Sequence, residues 1–190
     1  MIVTLTDHTK DPEQVIATCA AICYDGNTSP EANAKRLQKL MANGHFSTLR
    51  FAYATFHIQG ISRVCSHQLV RTGHAGFLQR SQRYTNCKLE SVHPKSFTPG
   101  EEYMPDAIWR HNHKAFQLYE ELIASGVPRE DARYILPQGV TTELYMTGNF
   151  QMWKHFLKLR TSKHAQTEIR DVAGLIHHRL FEIAPNIFPL

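Results

Sequence analysis

The chain has 190 residues, 42% hydrophobic and 20% charged, which suits one domain (1-190) with a real core and excludes a disordered chain. Lysine and arginine number 21 against 17 aspartates and glutamates, an excess that favours anionic ligands but lacks the dense basic stripe of a nucleic-acid polymer binder. No apolar run approaches the length of a membrane span, and neither the four cysteines nor His111-Asn112-His113 and His177-His178 have recognisable metal-ligand spacing, so no metal is expected.

The segment Met1 to Asp7 lacks the basic start and apolar core of a signal peptide and reads as a first strand, which predicts a cytoplasmic protein with reduced thiols. Asp11-Pro12-Glu13 opens a helix with a capping acid, a proline in the first turn and a second acid at the positive helix end. It should bury Val15, Ile16, Cys19, Ile22 and Cys23 and stop before Gly26. Ser29-Pro30-Glu31 opens a second helix that turns Leu37, Leu40 and Met41 inward until Asn43-Gly44. The aromatic-rich run Leu49 to Ile58 predicts a core strand closed by Gly60.

The stretch Arg63 to Tyr84 carries far more polar functionality than a surface segment needs. Its first half fits a helix with Val64, Cys65 and Leu69 inward and Arg63, His67 and Arg71 at four-residue spacing on one face, Gln68 beside them. Thr72 to Gly76 should break that helix through its two glycines. From Leu78 to Tyr84 an extended reading puts Gln79, Ser81 and Arg83 on one side. Two interpretations stand side by side: a phosphate site, for which a nucleotide is the obvious ligand, and a solvated basic helix. Cys65 fits a packed thiol.

Residues 87 to 104 read as a loop, rich in proline and without periodicity. After Pro105 an amphipathic helix aligns Ile108, Trp109, Phe116, Tyr119, Leu122 and Ile123 as a core stripe and ends at Gly126. Pro128 starts a short helix that places Arg133 before the stop at Pro137. Thr141 to Met146 is a strand leading to Asn149, which caps a helix burying Phe150, Trp153, Phe156 and Leu157, exposing His155 and ending near Arg160. A last helix from about His164 buries Ile169, Val172, Ala173, Ile176, Leu180 and Ile183.

Arg71-Thr72-Gly73, seven residues, then Ser81-Gln82-Arg83-Tyr84 resembles the signature of flavin-dependent thymidylate synthases, Arg-His-Arg followed after seven residues by Ser. Arg63, His67-Gln68-Leu69-Val70, Ala20 to Tyr24, Gly44 to Ser47, Ala132 to Pro137, Asn149, His155 to Arg160 and His164 to Arg170 resemble family segments in family order. The resemblance implies an α/β (α+β) subunit with a central twisted, mainly antiparallel sheet flanked by helices, assembled as a homotetramer with sites at subunit interfaces. It implies conversion of dUMP to dTMP with methylenetetrahydrofolate as carbon donor and NADPH-reduced FAD as hydride source. By position it assigns Gln68, Arg71, Gln79, Arg80, Ser81, Gln82, Arg83, Arg133 and Arg160 to the nucleotide. Arg160 is the catalytic cation at the base edge. Ser47, Arg71, Thr72, Gly73, Gln79, Asn149, Gln151 and His155 fall to FAD. The chain departs from the family at Thr72 and Gly73, at Arg50 where the family has Glu, and at Gln79 where some members carry an acid. Those departures keep open a related one-carbon transfer, such as hydroxymethylation, and a non-catalytic nucleotide- or flavin-binding protein.

Overall fold

The computed structural model describes residues 1–97 and 103–190. Four strands, β1 (Ile2–His8), β2 (Tyr53–Ser62), β3 (Ala75–Gln79) and β4 (Thr141–Asn149), form one sheet in the order β1-β2-β4-β3, with every neighbouring pair antiparallel. The helices are α1 (Pro12–Ala21), α2 (Pro30–Ala42), α3 (Arg63–Leu69), α4 (Tyr103–Ala124), α5 (Arg129–Ala132), α6 (Phe150–Arg160) and α7 (Thr167–Ile183). The expected architecture of an antiparallel sheet flanked by helices is therefore present.

Strand alternation sets the layers. Ala54, Phe56 and Ile58 of β2 and Leu144 and Met146 of β4 are buried under α6 and α7, while Thr55, His57, Tyr145 and Thr147 stand on the other face. Trp153 of α6 is fully buried, meets Phe56 edge-on at 5.0 Å between ring centroids, and donates its indole N–H to the Ala54 carbonyl at 3.1 Å. That bond satisfies the one polar atom such a ring brings into a core. From α7, Ile169, Val172, Ala173, Ile176 and Leu180 join the same core, as their spacing predicts. Ile183 packs against it only partly buried.

Several local expectations are corrected. Asp11 does not cap α1: it sits at φ 46 with no side-chain hydrogen bond. The inward face of α1 is Ile16, Ala17, Ala20 and Ala21, so Val15 and Cys19 are only half-buried and Ile22 and Cys23 are exposed. Small alanines let α1 lie close to its neighbours, and the larger side chains rotate outward. Ser29 does cap α2, its Oγ accepting from Ala32 N at 3.3 Å. Phe46–Phe51 is a 3-10 helix, and β2 begins only at Tyr53. Gly60 does not close β2: at φ 66 it forms a bulge between Gln59 and Ile61, and pairing resumes through Ser62.

Helix α4 starts before Pro105, and Trp109 is exposed, stacked on His113 at 4.8 Å, rather than part of a core stripe. Only Tyr119 and Asn112 of that helix are buried among its described residues. The part of the 87 to 104 loop from 98 to 102 lies outside the described residues; the part before it bridges Ser91 to Val140. The last helix begins at Thr167, because Ser162 and Lys163 first form a turn in which Ala165 N donates to the Ser162 carbonyl at 2.9 Å.

Candidate functional site

The chain leaves β2 directly into α3, and the start of that helix is strongly determined. Ser62 Oγ accepts from Cys65 N at 3.0 Å, while the Glu168 carboxylate of α7 accepts from Ser62 N at 2.7 Å and Ser62 Oγ at 2.5 Å. Cys65 and Leu69 are fully buried. Burial, with a smaller contribution from nearby Glu168, pushes the Cys65 thiol up to about 12, so it is packed and protonated near neutral pH. Arg160, the last residue of α6, donates Nη2 to the Gln68 carbonyl at 3.2 Å, and Gln68 is hydrogen-bonded through its side chain to Gln166.

After α3 the turn differs from the glycine-based expectation: the residue with positive φ is His74, at 62, and neither Gly73 nor Gly76 adopts it. Only β3, to Gln79, is extended, so the expected strand from Leu78 to Tyr84 does not form. Ser81 instead organises a turn, its Oγ accepting from Arg83 N at 3.1 Å and Tyr84 N at 3.4 Å. Gln79 pairs with Leu144 in the ladder and sends its amide N–H groups to Ser66 Oγ at 2.8 Å and Thr142 Oγ1 at 3.3 Å. Arg80 is held by Glu143, Nη1 to Oε1 at 2.8 Å. Arg80 and then Gln59, hydrogen-bonding that carboxylate, hold it below the usual range.

Two clefts meet this segment, one at its Gly73-His74 turn and the other at its two ends, through Arg63, His67 and Gln82. The first, of about 540 Å3, is lined by Arg50, Gly73, His74, Asn149, Gln151, Met152 and His155. Asn149 caps α6, Oδ1 accepting from Met152 N at 2.9 Å, and so fixes the helix start at the cleft wall. Arg50 Nε donates to Gln151 Oε1 at 2.5 Å. Four residues assigned to one ligand from sequence, Gly73, Asn149, Gln151 and His155, thus share one cavity. Ser47 is on the 3-10 helix that carries Arg50, whereas Arg71 and Thr72 are on the turn outside the lining. No carboxylate lines the cleft among the described residues, and its cation and amides suit an anionic, hydrogen-bonding group.

The second cleft, of about 400 Å3, gathers Arg63, His67, Gln82, Arg133, Tyr134, Leu136, Pro137, Gln138 and Val140. Burial first, and then the neighbouring Arg133 cation, hold the Arg63 guanidinium below its usual range. Two cations meeting without a lining acid among the described residues form a site that an anion would stabilise. Arg83 reaches the same neighbourhood through Glu130, whose Oε2 accepts from Arg83 Nε at 2.7 Å while its carbonyl accepts from Arg133 Nε at 3.1 Å. Gln68, Arg71, Gln79, Arg80, Ser81, Arg83 and Arg160 lie outside this lining. Sequence reasoning did not pick out Met152, Tyr134 or Gln138. Tyr134 and Gln138 flank the short helix stop at Pro137, the available signal for them, and Met152 reads as an ordinary core residue.

The thymidylate synthase complementing protein family model matches residues 4–186. The chain is similar to the flavin-dependent thymidylate synthase of Pyrococcus furiosus, 41% identical over 184 residues that cover 90% of this chain and 75% of that one. It is similar also to those of Thermococcus onnurineus, 39% identical with coverages of 97% and 79%, and Geobacter sulfurreducens, 36% identical with coverages of 99% and 85%. The crystal structure of a UMP/dUMP methylase from Streptomyces cacaoi bound with 5-Br dUMP superposes with a TM-score of 0.86 at 23% identity, covering 98% of this chain and 92% of that one. At that identity the likeness is one of fold.

Proposed function

The chain belongs to the thymidylate synthase complementing protein family, that of the flavin-dependent thymidylate synthases, and from that premise we propose that it converts dUMP to dTMP in the cytoplasm. In this reading methylenetetrahydrofolate donates the carbon, FAD reduced by NADPH donates the hydride, and the subunits form a homotetramer whose sites are completed where they meet. The observation that carries it is the pair of cation-bearing clefts, without a lining acid among the described residues, joined by the single segment from Arg63 to Gln82.

The second cleft takes the nucleotide phosphate. Arg63 and Arg133 supply forked charge-assisted donors, and Arg83 turns from Glu130 toward the same anion, with the Ser81 turn adjoining it. Arg71, Gln68 and Gln82 orient the nucleotide along α3. Arg160 faces the uracil, where a cation stabilises the negative charge that develops as N3 loses its proton and C5 becomes nucleophilic. Its anchoring to the Gln68 carbonyl holds that guanidinium beside Gln68, a residue assigned to the nucleotide. No enzyme nucleophile is needed, which agrees with the buried, protonated Cys65. The first cleft takes FAD, held by Asn149, Gln151, His155 and the 71–74 turn with Ser47 nearby. Reduced flavin, when bound, supplies the hydride that completes the methyl group.

The test is to purify the protein, record its flavin absorbance, then supply dUMP, methylenetetrahydrofolate and NADPH and weigh the nucleotide. A gain of one methyl is expected; a hydroxymethyl product would redirect the assignment to a related one-carbon transfer, and absence of both flavin and turnover would leave only a binding protein. Arg160→Ala is expected to abolish turnover with flavin still bound, and undiminished turnover would remove Arg160 from its role.

A further inference from the structure

The first cleft brings Gly73 and Arg50 together in its lining. Gly73 contributes no side chain, and a Cβ built there has no neighbour within 4 Å, so the cavity is open on that side. Arg50, from the 3-10 helix Phe46–Phe51, lines the same cavity. Its Nε is committed to Gln151, while Nη1 and Nη2 make no hydrogen bond or ion pair among the described residues. The resemblance implies a cation at position 73 and an acid at position 50, so Gly73 and Arg50 are two of the charge departures of this chain, Gln79 being another. Either change alone is a local accident. Their presence in one cleft, without a lining carboxylate, makes them one rearrangement.

We infer that Arg50 is the cationic anchor of the bound dinucleotide in this chain, directing its free guanidinium fork at the diphosphate and replacing the charge that position 73 lacks. The inference rests on the reading that FAD occupies this cleft. The diphosphate is the target because it is the only formally anionic part of oxidised FAD, and a planar fork held at one nitrogen still presents paired donors to phosphate oxygens. Gln151 then acts as a positioning residue: its carbonyl oxygen fixes Arg50, and through Arg50 the cofactor. Arg50 is exposed, so its replacement leaves the fold intact.

The experiment is a titration of flavin-stripped protein with FAD, read by flavin fluorescence, in the wild type, Arg50→Gln, Arg50→Lys and the double variant Arg50→Gln/Gly73→Arg, with thermal melts to establish that all four are folded. Arg50→Gln should weaken FAD binding about tenfold to hundredfold, Arg50→Lys less, and added salt should weaken the wild type more steeply than Arg50→Gln. Restoring a cation at the other wall with Gly73→Arg should recover most of the loss. Binding by Arg50→Gln within about twofold of wild type, or no recovery in the double variant, overturns the inference. A wild type that binds no FAD overturns the assignment of the cleft and this inference with it, whereas a wild type that binds FAD with an indifferent Arg50 overturns the inference alone.

Discussion

Cys65 illustrates how far a residue's identity is from its reactivity. It lies in the most polar stretch of the chain, yet α3 turns it into the core, where the thiolate would lose its hydration and face the Glu168 carboxylate. With the folded thiol raised from 9.0 to about 12, its contribution to stability is complete below pH 9.0 and is lost as pH rises toward 12, because there only the unfolded chain releases the proton. Cys65→Ala should therefore flatten the alkaline fall in stability across that window. In the native protein at neutral pH iodoacetamide should modify exposed Cys23 and leave Cys65 untouched; mass spectrometry of the peptides decides, and equal labelling would place Cys65 on the surface. Periodicity correctly turned Cys65 inward because α3 has a single buried side. It failed for Cys23, since the packing of α1 is governed by its alanines, and for Trp109, where a stripe wide enough to look like core meets too little protein to cover it.

At the level of elements, local chemistry was legible wherever it closes within a few residues. Asn149 and Ser29 both cap the helices their positions announce. Asp11 fails because its backbone adopts a left-handed conformation that an N-cap does not use. Gly60 and His74 were misread for a related reason: a positive φ in a strand makes a bulge instead of an end, and which residue of a turn takes that angle depends on the register of β3 against β4, a long-range property. The Asn149 cap also separates stability from binding. Asn149→Ala should cost about 1 kcal/mol and lower the melting midpoint by about 2–4 °C. Asn149→Asp keeps an acceptor for Met152 N and should restore the midpoint, while the carboxylate it adds to an acid-free cleft should weaken FAD binding. Equal FAD affinity in wild type and Asn149→Asp would show that position 149 serves the helix alone.

For the molecule as a whole, the consequential asymmetry is that the helices of the core cover one face of the sheet. On the other face, β3, β4 and β2 align Leu78 beside Tyr145 and Tyr145 beside His57, whose ring stacks on Tyr145 at 4.3 Å. Leu78 is 77% exposed. Beside this row Arg80 and Gln59 each donate to the Glu143 carboxylate, and Thr55 Oγ1 meets Thr147 Oγ1 at 2.7 Å, while the buried Arg80 Nε has no hydrogen-bond partner among the described residues. A surface with an apolar centre and mostly paired polar flanks can be covered at little polar cost, and an acceptor brought by the covering surface would satisfy Arg80 Nε. The site argument points to the same need. Among the described residues the two clefts share no lining residue, and Arg71, Ser81, Arg83 and Arg160 lie outside both, so the residues of the proposed site extend beyond either cleft. The resemblance implies sites completed at subunit interfaces, but which face takes a partner was not readable from the chain, because the amphipathic alternation of a strand identifies two faces and leaves the occupant of the second unstated. If the open face joins subunits of the proposed homotetramer, Leu78→Arg with Tyr145→Glu should lower the mass found by light scattering, and FAD affinity should fall with it although neither residue lines the cofactor cleft. Assembly unchanged by the double substitution would move the interface to another surface; a smaller assembly that retains full FAD affinity would leave the subunit able to hold its cofactor by itself.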